Sequence, residues 1–316
     1  MTTLLNSRPA QKFSHPDITA KGEQRASVDF RSMKTLWFNT GTLCNIECVN
    51  CYIESSPTND RLVYLTHSDV VPFLDELEAR GEVPIEVGFT GGEPFMAPDI
   101  LNILEETLQR GHDVLVLTNA MQPMMRPRVK EGLARLIELY RDKLVLRVSL
   151  DHHSEALHDE ERGAGSYKLT CAGLEWLAEQ NARVAIAGRT VWDEPETTAR
   201  QGYADLCQRL GLSFNVNSPT ELVLFPEMDP SKDPPEITTD CWGILNKDPS
   251  DIMCASQRMV VKRKGAGKPT VLACTLLPYD TAFELGDTLA EASEPVSLNH
   301  PYCASFCVLG GGSCSA

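Results

Sequence analysis

The chain has 316 residues, of which 42% are apolar and 23% charged, enough hydrophobic material for a sizeable core and too little charge for a disordered polymer. Asp and Glu outnumber Lys and Arg by 44 to 29, and the resulting formal charge of -15 excludes a surface built to grip nucleic acid or anionic lipid. Residues 1–34 are polar without an apolar signal-like core, and no stretch approaches the roughly 18 apolar residues of a membrane span, so a cytoplasmic protein with neither membrane nor nucleic acid as partner is expected.

After an irregular segment, 1–34, short apolar or β-branched runs alternate with amphipathic ones. Strands are expected at 35–39, 85–90, 113–118, 144–150, 183–190 and 214–217. Between the first two, Thr66 and Asp69 form a helix-capping signal ahead of the stripe Val70, Val71, Phe73, Leu74 and Leu77, which stops at Gly81. Pro98 opens the next helix, whose Ile100, Leu101, Ile103, Leu104 and Leu108 face inward before Gly111. Six such strand-helix units make an α/β domain over 35–225, with a parallel sheet that is either open and doubly wound or an incomplete barrel. In both cases sites gather beyond the carboxyl ends of the strands.

The texture then changes to Pro226, Pro230, Pro234 and Pro235 among acidic residues, a linker opening a separate segment, 226–316. It carries Cys241, Cys254, Cys274, Cys303, Cys307 and Cys314, a hairpin through 258–272 turning at Gly265 and Gly267, and little helical periodicity. Without a metal so short a module has a meagre core.

Eleven cysteines in a reducing compartment point to metal binding or reactivity rather than to disulfides. Cys44, Cys48 and Cys51 follow the first strand at spacings that let one loop wrap a metal centre. A zinc site takes four protein ligands, or three and a water, and no fourth is evident nearby; three cysteines on a [4Fe-4S] cube leave one iron open. Cys171 and Cys207, on amphipathic helices, read as core thiols.

Cys44-x3-Cys48-x2-Cys51 after the first strand, with Gly91-Gly92-Glu93-Pro94 after the second, resembles the radical S-adenosylmethionine (radical SAM) superfamily over about 35–217. The resemblance implies a partial (β/α)6 TIM-like barrel. It also implies a cluster on the three cysteines whose open iron chelates S-adenosylmethionine, an electron donor such as flavodoxin or ferredoxin, and a 5'-deoxyadenosyl radical that takes hydrogen from a small-molecule or peptide substrate. Gly91, Gly92 and Glu93 match the run that meets the amino group of S-adenosylmethionine. Thr118, Asn119, Ser149, Asp151 and Arg189, at successive strand ends, match positions in its pocket, with Arg189 suited to a bidentate carboxylate contact. Two departures stand out: Asn50 replaces the usual aromatic residue before the third cysteine, and the fifth strand, including Ile186 and Gly188, matches the adenine-packing motif only loosely.

The C-terminal cysteines resemble the SPASM and Twitch extensions that hold auxiliary [4Fe-4S] clusters, here one cluster on Cys254 and Cys274 with two or three of Cys303, Cys307 and Cys314; Cys241 is left for a second, partly open one. A structural zinc knot is the competing reading of the same residues. His152, His153 and His158 read as part of a solvent-facing loop, Glu221 and Glu227 are general bases by location only, and no catalytic acid or base is assigned. The competing function is a non-catalytic iron-sulfur or zinc protein for electron transfer or assembly, which leaves Gly91 to Pro94 and the ordered strand-end residues as accidents.

Overall fold

A computed structural model describes residues 11–225 and 232–312. Along the chain it contains β1 (Ser27–Val28), β2 (Thr35–Asn39), α1 (His67–Ala79), β3 (Glu86–Thr90), α2 (Ile100–Gln109), β4 (Asp113–Thr118), α3 (Gln122–Met125) and α4 (Pro127–Tyr140). Next come β5 (Leu144–Ser149), α5 (Glu155–Arg162), α6 (Ser166–Glu179), β6 (Arg183–Arg189), α7 (Glu196–Arg209) and β7 (Leu222–Phe225). The chain continues through α8 (Cys241–Leu245), β8 (Gln257–Val261), β9 (Thr270–Leu272), β10 (Glu284–Gly286), β11 (Val296–Ser297) and a π-helix, Cys303–Leu309. The described residues fall into two compact units, one of 33–225 and 257–292, the other of 11–32, 232–256 and 293–312.

In the larger unit the strands lie in the order β10-β9-β8-β2-β3-β4-β5-β6-β7. β2 to β7 are parallel and adjacent in sequence order, each joined to the next by helical crossovers, as the alternating pattern predicts. No pairing joins β10 to β7, so the sheet is a wound, unclosed α/β sheet. Register sorts its residues. Phe38, Phe89, Val116, Val148 and Ile186 share one face with their i±2 neighbours, and α1 and α7 meet that face through Phe73, edge-on to Phe38, and Tyr203, beside Gly188. The other face carries Trp37, Asn39, Thr90, Arg147, Ser149 and Arg189. Trp37 lies flat across it because Gly88, its register partner, has no side chain: a Cβ there would fall 2.3 Å from the indole. The Trp37 Nε1–H donates to Gln257 Oε1 at 3.1 Å, which ties β2 to β8.

Three expectations change. The sixth strand is not at 214–217 but at Leu222–Phe225. Residues 215–221 form a turn in which Asn217 N–H donates to Asn215 Oδ1 and Asn215 N–H to Glu221 Oε2, so the short alternation of 214–217 closes on itself instead of pairing. The hairpin around Gly265 and Gly267 is present as β8 and β9, but β8 also adds to β2 in parallel, so it extends the main sheet. The compact units therefore cut across the segments 1–34, 35–225 and 226–316.

In the smaller unit β1 pairs antiparallel with β11. Buried Arg25 donates to the carbonyls of His15 and Ile18 and pairs with Glu236, whose carboxylate also accepts from Phe13 N–H and Ala20 N–H. A paired, fully hydrogen-bonded buried charge holds the irregular N-terminal residues in place.

Gly88→Ala is expected to destabilise the protein by about 1–3 kcal/mol, the range for overpacking a filled core, because the Trp37 ring must move. Urea unfolding of the two proteins measures it, and equal midpoints would refute the packing argument.

Candidate active site

The carboxyl ends of β2, β3 and β4 meet through backbone contact. Beyond β2, residues 40–44 run beside the Gly91-Gly92-Glu93 turn that follows β3: Gly92 N–H donates to Gly41 O at 2.7 Å and Glu93 N–H to Leu43 O at 3.2 Å. Gly91 sits at φ +139°, and a Cβ on Gly92 would fall 2.1 Å from Leu43 O. The glycines thus admit a close approach to the cysteine loop's own backbone. Glu93 then points inward. Its Oε1 accepts from Thr118 Oγ1 at 2.9 Å and Phe95 N–H at 3.1 Å, and its Oε2 accepts from Asn119 N–H at 2.8 Å. Burial raises this carboxyl to about 7 against those bonds. Asn119 donates from Nδ2 to Asn45 Oδ1 at 2.9 Å, beside Cys44. Five of the expected residues, Gly91, Gly92, Glu93, Thr118 and Asn119, are therefore in one hydrogen-bonded group with the cysteine loop.

Cys44 is buried, and Cys48 and Cys51 are half-buried. Burial pushes the Cys44 thiol up to about 12, with added repulsion from Glu93, Cys48 and Cys51. Burial also raises Cys48, opposed by Arg162. Among the described residues, the only three His, Cys, Asp or Glu side chains whose ligand atoms all lie within 4.8 Å of one another are His152, His153 and Glu194. The three sulfurs are therefore spread more widely than the ~3.8 Å that Zn–S bonds of about 2.3 Å set in a tetrahedron. A single zinc ion would have to draw at least two of these sulfurs closer together.

Asp151 and Arg189 take up partners the sequence does not announce. Asp151 is clamped by Arg162 through Nε to Oδ2 at 2.6 Å and Nη2 to Oδ1 at 3.1 Å. Burial opposes its charge, yet the Arg162 guanidinium holds it below the usual carboxylate range. Arg162 stays charged because Asp151 and the Cys48 and Cys51 thiols outweigh burial. Arg189 does not stand free at the end of β6: its Nη1 lies 3.3 Å from Glu161 Oε2 and 3.3 Å from Asn50 O. Glu161 also accepts from Asn50 Nδ2 at 2.6 Å, and its carbonyl accepts from Val49 N–H at 2.9 Å, so the end of α5 grips the cysteine loop. Asn50, in the place of the usual aromatic residue, serves this grip. Ser149 ends β5 half-buried.

The histidines are not on a solvent-facing loop. His152 is buried, and His158 is fully buried on α5, where burial lowers it to about 4 and its ring stands edge-on to Tyr167. Glu221 braces the turn before β7. Glu227 and Cys314 lie outside the described residues. Cys207 is a buried thiol on α7 and Cys171 is half-buried on α6. Cys274 follows β9 in the larger unit, and its Sγ accepts from Leu276 N–H. In the smaller unit Cys254 and Cys303 are buried and close enough for each charge to act on the other, burial pushing Cys303 up to about 12. Cys307 lies four residues on in the π-helix, whose wide turn sets positions four apart nearly in line. Cys241 Sγ accepts from Thr238 N–H.

Among curated proteins, the chain is 34% identical over 145 residues to the antilisterial bacteriocin subtilosin biosynthesis protein AlbA of Bacillus subtilis, covering 46% of this chain and 30% of AlbA. It is 33% identical over 138 residues to the AdoMet-dependent heme synthase of Methanosarcina barkeri, covering 42% of this chain and 36% of that protein. The matches thus span about a third of those relatives' own lengths. Among solved structures, Streptococcus suis SuiB bound to its precursor peptide SuiA superposes with a TM-score of 0.59 at 14% identity, covering 84% of this chain and 66% of SuiB, a likeness of fold. The pattern of the Radical SAM superfamily matches residues 38–196, from the end of β2 into α7. That stretch holds the cysteine loop, the glycine turn it rests on and the strand ends around them, and the chain belongs to the radical SAM superfamily.

Proposed function

We propose that this chain is a radical SAM enzyme that binds a [4Fe-4S] cluster through Cys44, Cys48 and Cys51 and modifies a peptide. The observation that carries the reading is the hydrogen-bonded seat of the Gly91-Gly92-Glu93 turn on the loop of three widely spaced sulfurs. The cluster, when bound and reduced, supplies the electron that cleaves S-adenosylmethionine to a 5'-deoxyadenosyl radical.

The protein's own part is placement and charge. The turn fixes the loop from one side and Glu161 with Arg189 from the other, so Cys44, Cys48 and Cys51 are presented in one arrangement. Glu93 keeps acceptor capacity on Oε2 for the ammonium group of S-adenosylmethionine, and Thr118, Phe95 and Asn119 hold it in position. Arg162, held by Asp151, offsets the negative charge of the thiolates and is better placed than Arg189 to receive a carboxylate at the loop. Ser149, half-buried at the end of β5, is the strand-end hydroxyl offered to a substrate, whereas Trp37, Asn39 and Arg147 on the same face are buried. A peptide is favoured because AlbA is named for making a bacteriocin and SuiB is seen with a precursor peptide. The relative named as a heme synthase makes a small metabolite the second reading. A flavodoxin or ferredoxin is the expected electron donor.

An auxiliary [4Fe-4S] cluster is expected on Cys254, Cys303 and Cys307 of the smaller unit; of the other two expected ligands, Cys274 belongs to the larger unit and Cys314 lies outside the described residues.

Anaerobically reconstituted and reduced protein is expected to form 5'-deoxyadenosine from S-adenosylmethionine, and Cys48→Ala to lose it by a hundredfold or more. Chromatographic assay of the nucleoside checks this; equal product from both proteins would sink the enzyme reading. Iron analysis of the same sample is expected to give about eight irons per chain, against about four if there is no auxiliary cluster.

A further inference from the structure

His152 and His153 directly follow Asp151 beyond β5, and Glu194 lies in the connection from β6 to α7. Glu194 spans both rings: its Oε2 lies 3.1 Å from His152 Nε2 and its Oε1 3.3 Å from His153 Nε2, and all three ligand atoms fall within 4.8 Å of one another. Bonds of about 2.0–2.1 Å to nitrogen and oxygen place neighbouring ligand atoms of a tetrahedron ~3.3 Å apart, and each imidazole stands near that distance from one of the two Glu194 oxygens.

The fold prepares the rings. Their centroids lie 4.0 Å apart with the planes tilted by 33°, and Trp192 stands edge-on to His152 at 5.0 Å. His153 fills space that α7 leaves open at Gly202, where a Cβ would fall 2.4 Å from the imidazole. Tyr203 donates to the carbonyls of Leu150 and Asp151 at 2.8 Å each, fixing the backbone from which both histidines project. Ser154 orients His152, whose Nδ1 accepts from Ser154 N–H at 3.0 Å and lies 2.8 Å from the Ser154 hydroxyl.

We propose that His152, His153 and Glu194 form a mononuclear site for a borderline divalent cation such as zinc. Two imidazoles and a carboxylate match that class, whereas a calcium or magnesium site would be built from oxygen. The His153 and Glu194 side chains are 21% and 24% exposed, so the cation keeps positions for water or for a carbonyl or carboxylate of a substrate. The site shares no residue with the cysteine loop and does not rest on the radical chemistry.

The test uses cluster-reconstituted protein, in which cysteines are occupied, with zinc added alone. Bound zinc is counted by metal analysis and its neighbours are read by X-ray absorption. One zinc with only nitrogen and oxygen neighbours is expected, held at least tenfold more weakly by His153→Ala and by Glu194→Gln. Zinc held through sulfur, no zinc in the parent, or equal retention by parent and variants would overturn the site and leave a hydrogen-bonded trio. Should His153→Ala fail to fold, Glu194→Gln retains the shape of the trio, and the absorption spectrum of the parent decides alone.

Discussion

The active-site end of the larger unit depends on how closely two backbones approach. Gly92 packs where any side chain would strike the carbonyl of Leu43, and its N–H closes a 2.7 Å hydrogen bond to Gly41. From that contact the rest follows in order. Cys44 is held one residue beyond Leu43, and Glu93 turns into the cleft between β3 and β4, where Thr118 and Asn119 satisfy it. Asn119 then reaches back to Asn45 in the cysteine loop and completes the circuit. A circuit of short, mutually dependent hydrogen bonds in a dry environment fixes positions more firmly than its separate bonds would.

The second half of the site is built from charge. Five ionic or polar groups, Asp151, Arg162, Glu161, Arg189 and Asn50, interlock between β5, α5, β6 and the cysteine loop. A guanidinium drawn partly out of water is costly, and half-buried Arg162 is tolerated because a bidentate carboxylate meets it on one side and thiols on another. The acidic excess of the whole chain is therefore no obstacle to a locally positive point at the cysteine loop.

Much of this was legible in the sequence, because its signals are local. Five of the six parallel strands, the cysteine spacing and the glycine turn each lie in a few consecutive residues. The missed sixth strand shows the limit: 214–217 and Leu222–Phe225 are both short, and only the partners decide which one pairs, Ile186 and Arg189 of β6 facing Leu222 and Phe225. The parallel seat of β8 on β2 was hidden for the same reason, since a β-branched run declares a strand but not its neighbour. Arg162 was invisible because Glu155–Arg162 is mostly charged and reads as a solvated helix; the one available signal was a Glu-Arg pair ending eleven residues beyond a strand-end aspartate. The buried histidines were missed likewise, their burial coming from α6 and α7 and not from their own segment.

The alternation of side chains along β2 to β6 has a consequence for substitutions. Residues that meet the helices, such as Phe38, Phe89 and Ile186, are constrained by volume, and their neighbours one step along the strand, such as Asn39, Ser149 and Arg189, face the other way. A substitution on the first side must be absorbed by the helices packed against it, so its volume is fixed by neighbours far away in the sequence. One on the second side leaves that packing alone and is felt instead in the polar contacts beyond the strand ends, as Arg189 shows by reaching Asn50 and Glu161.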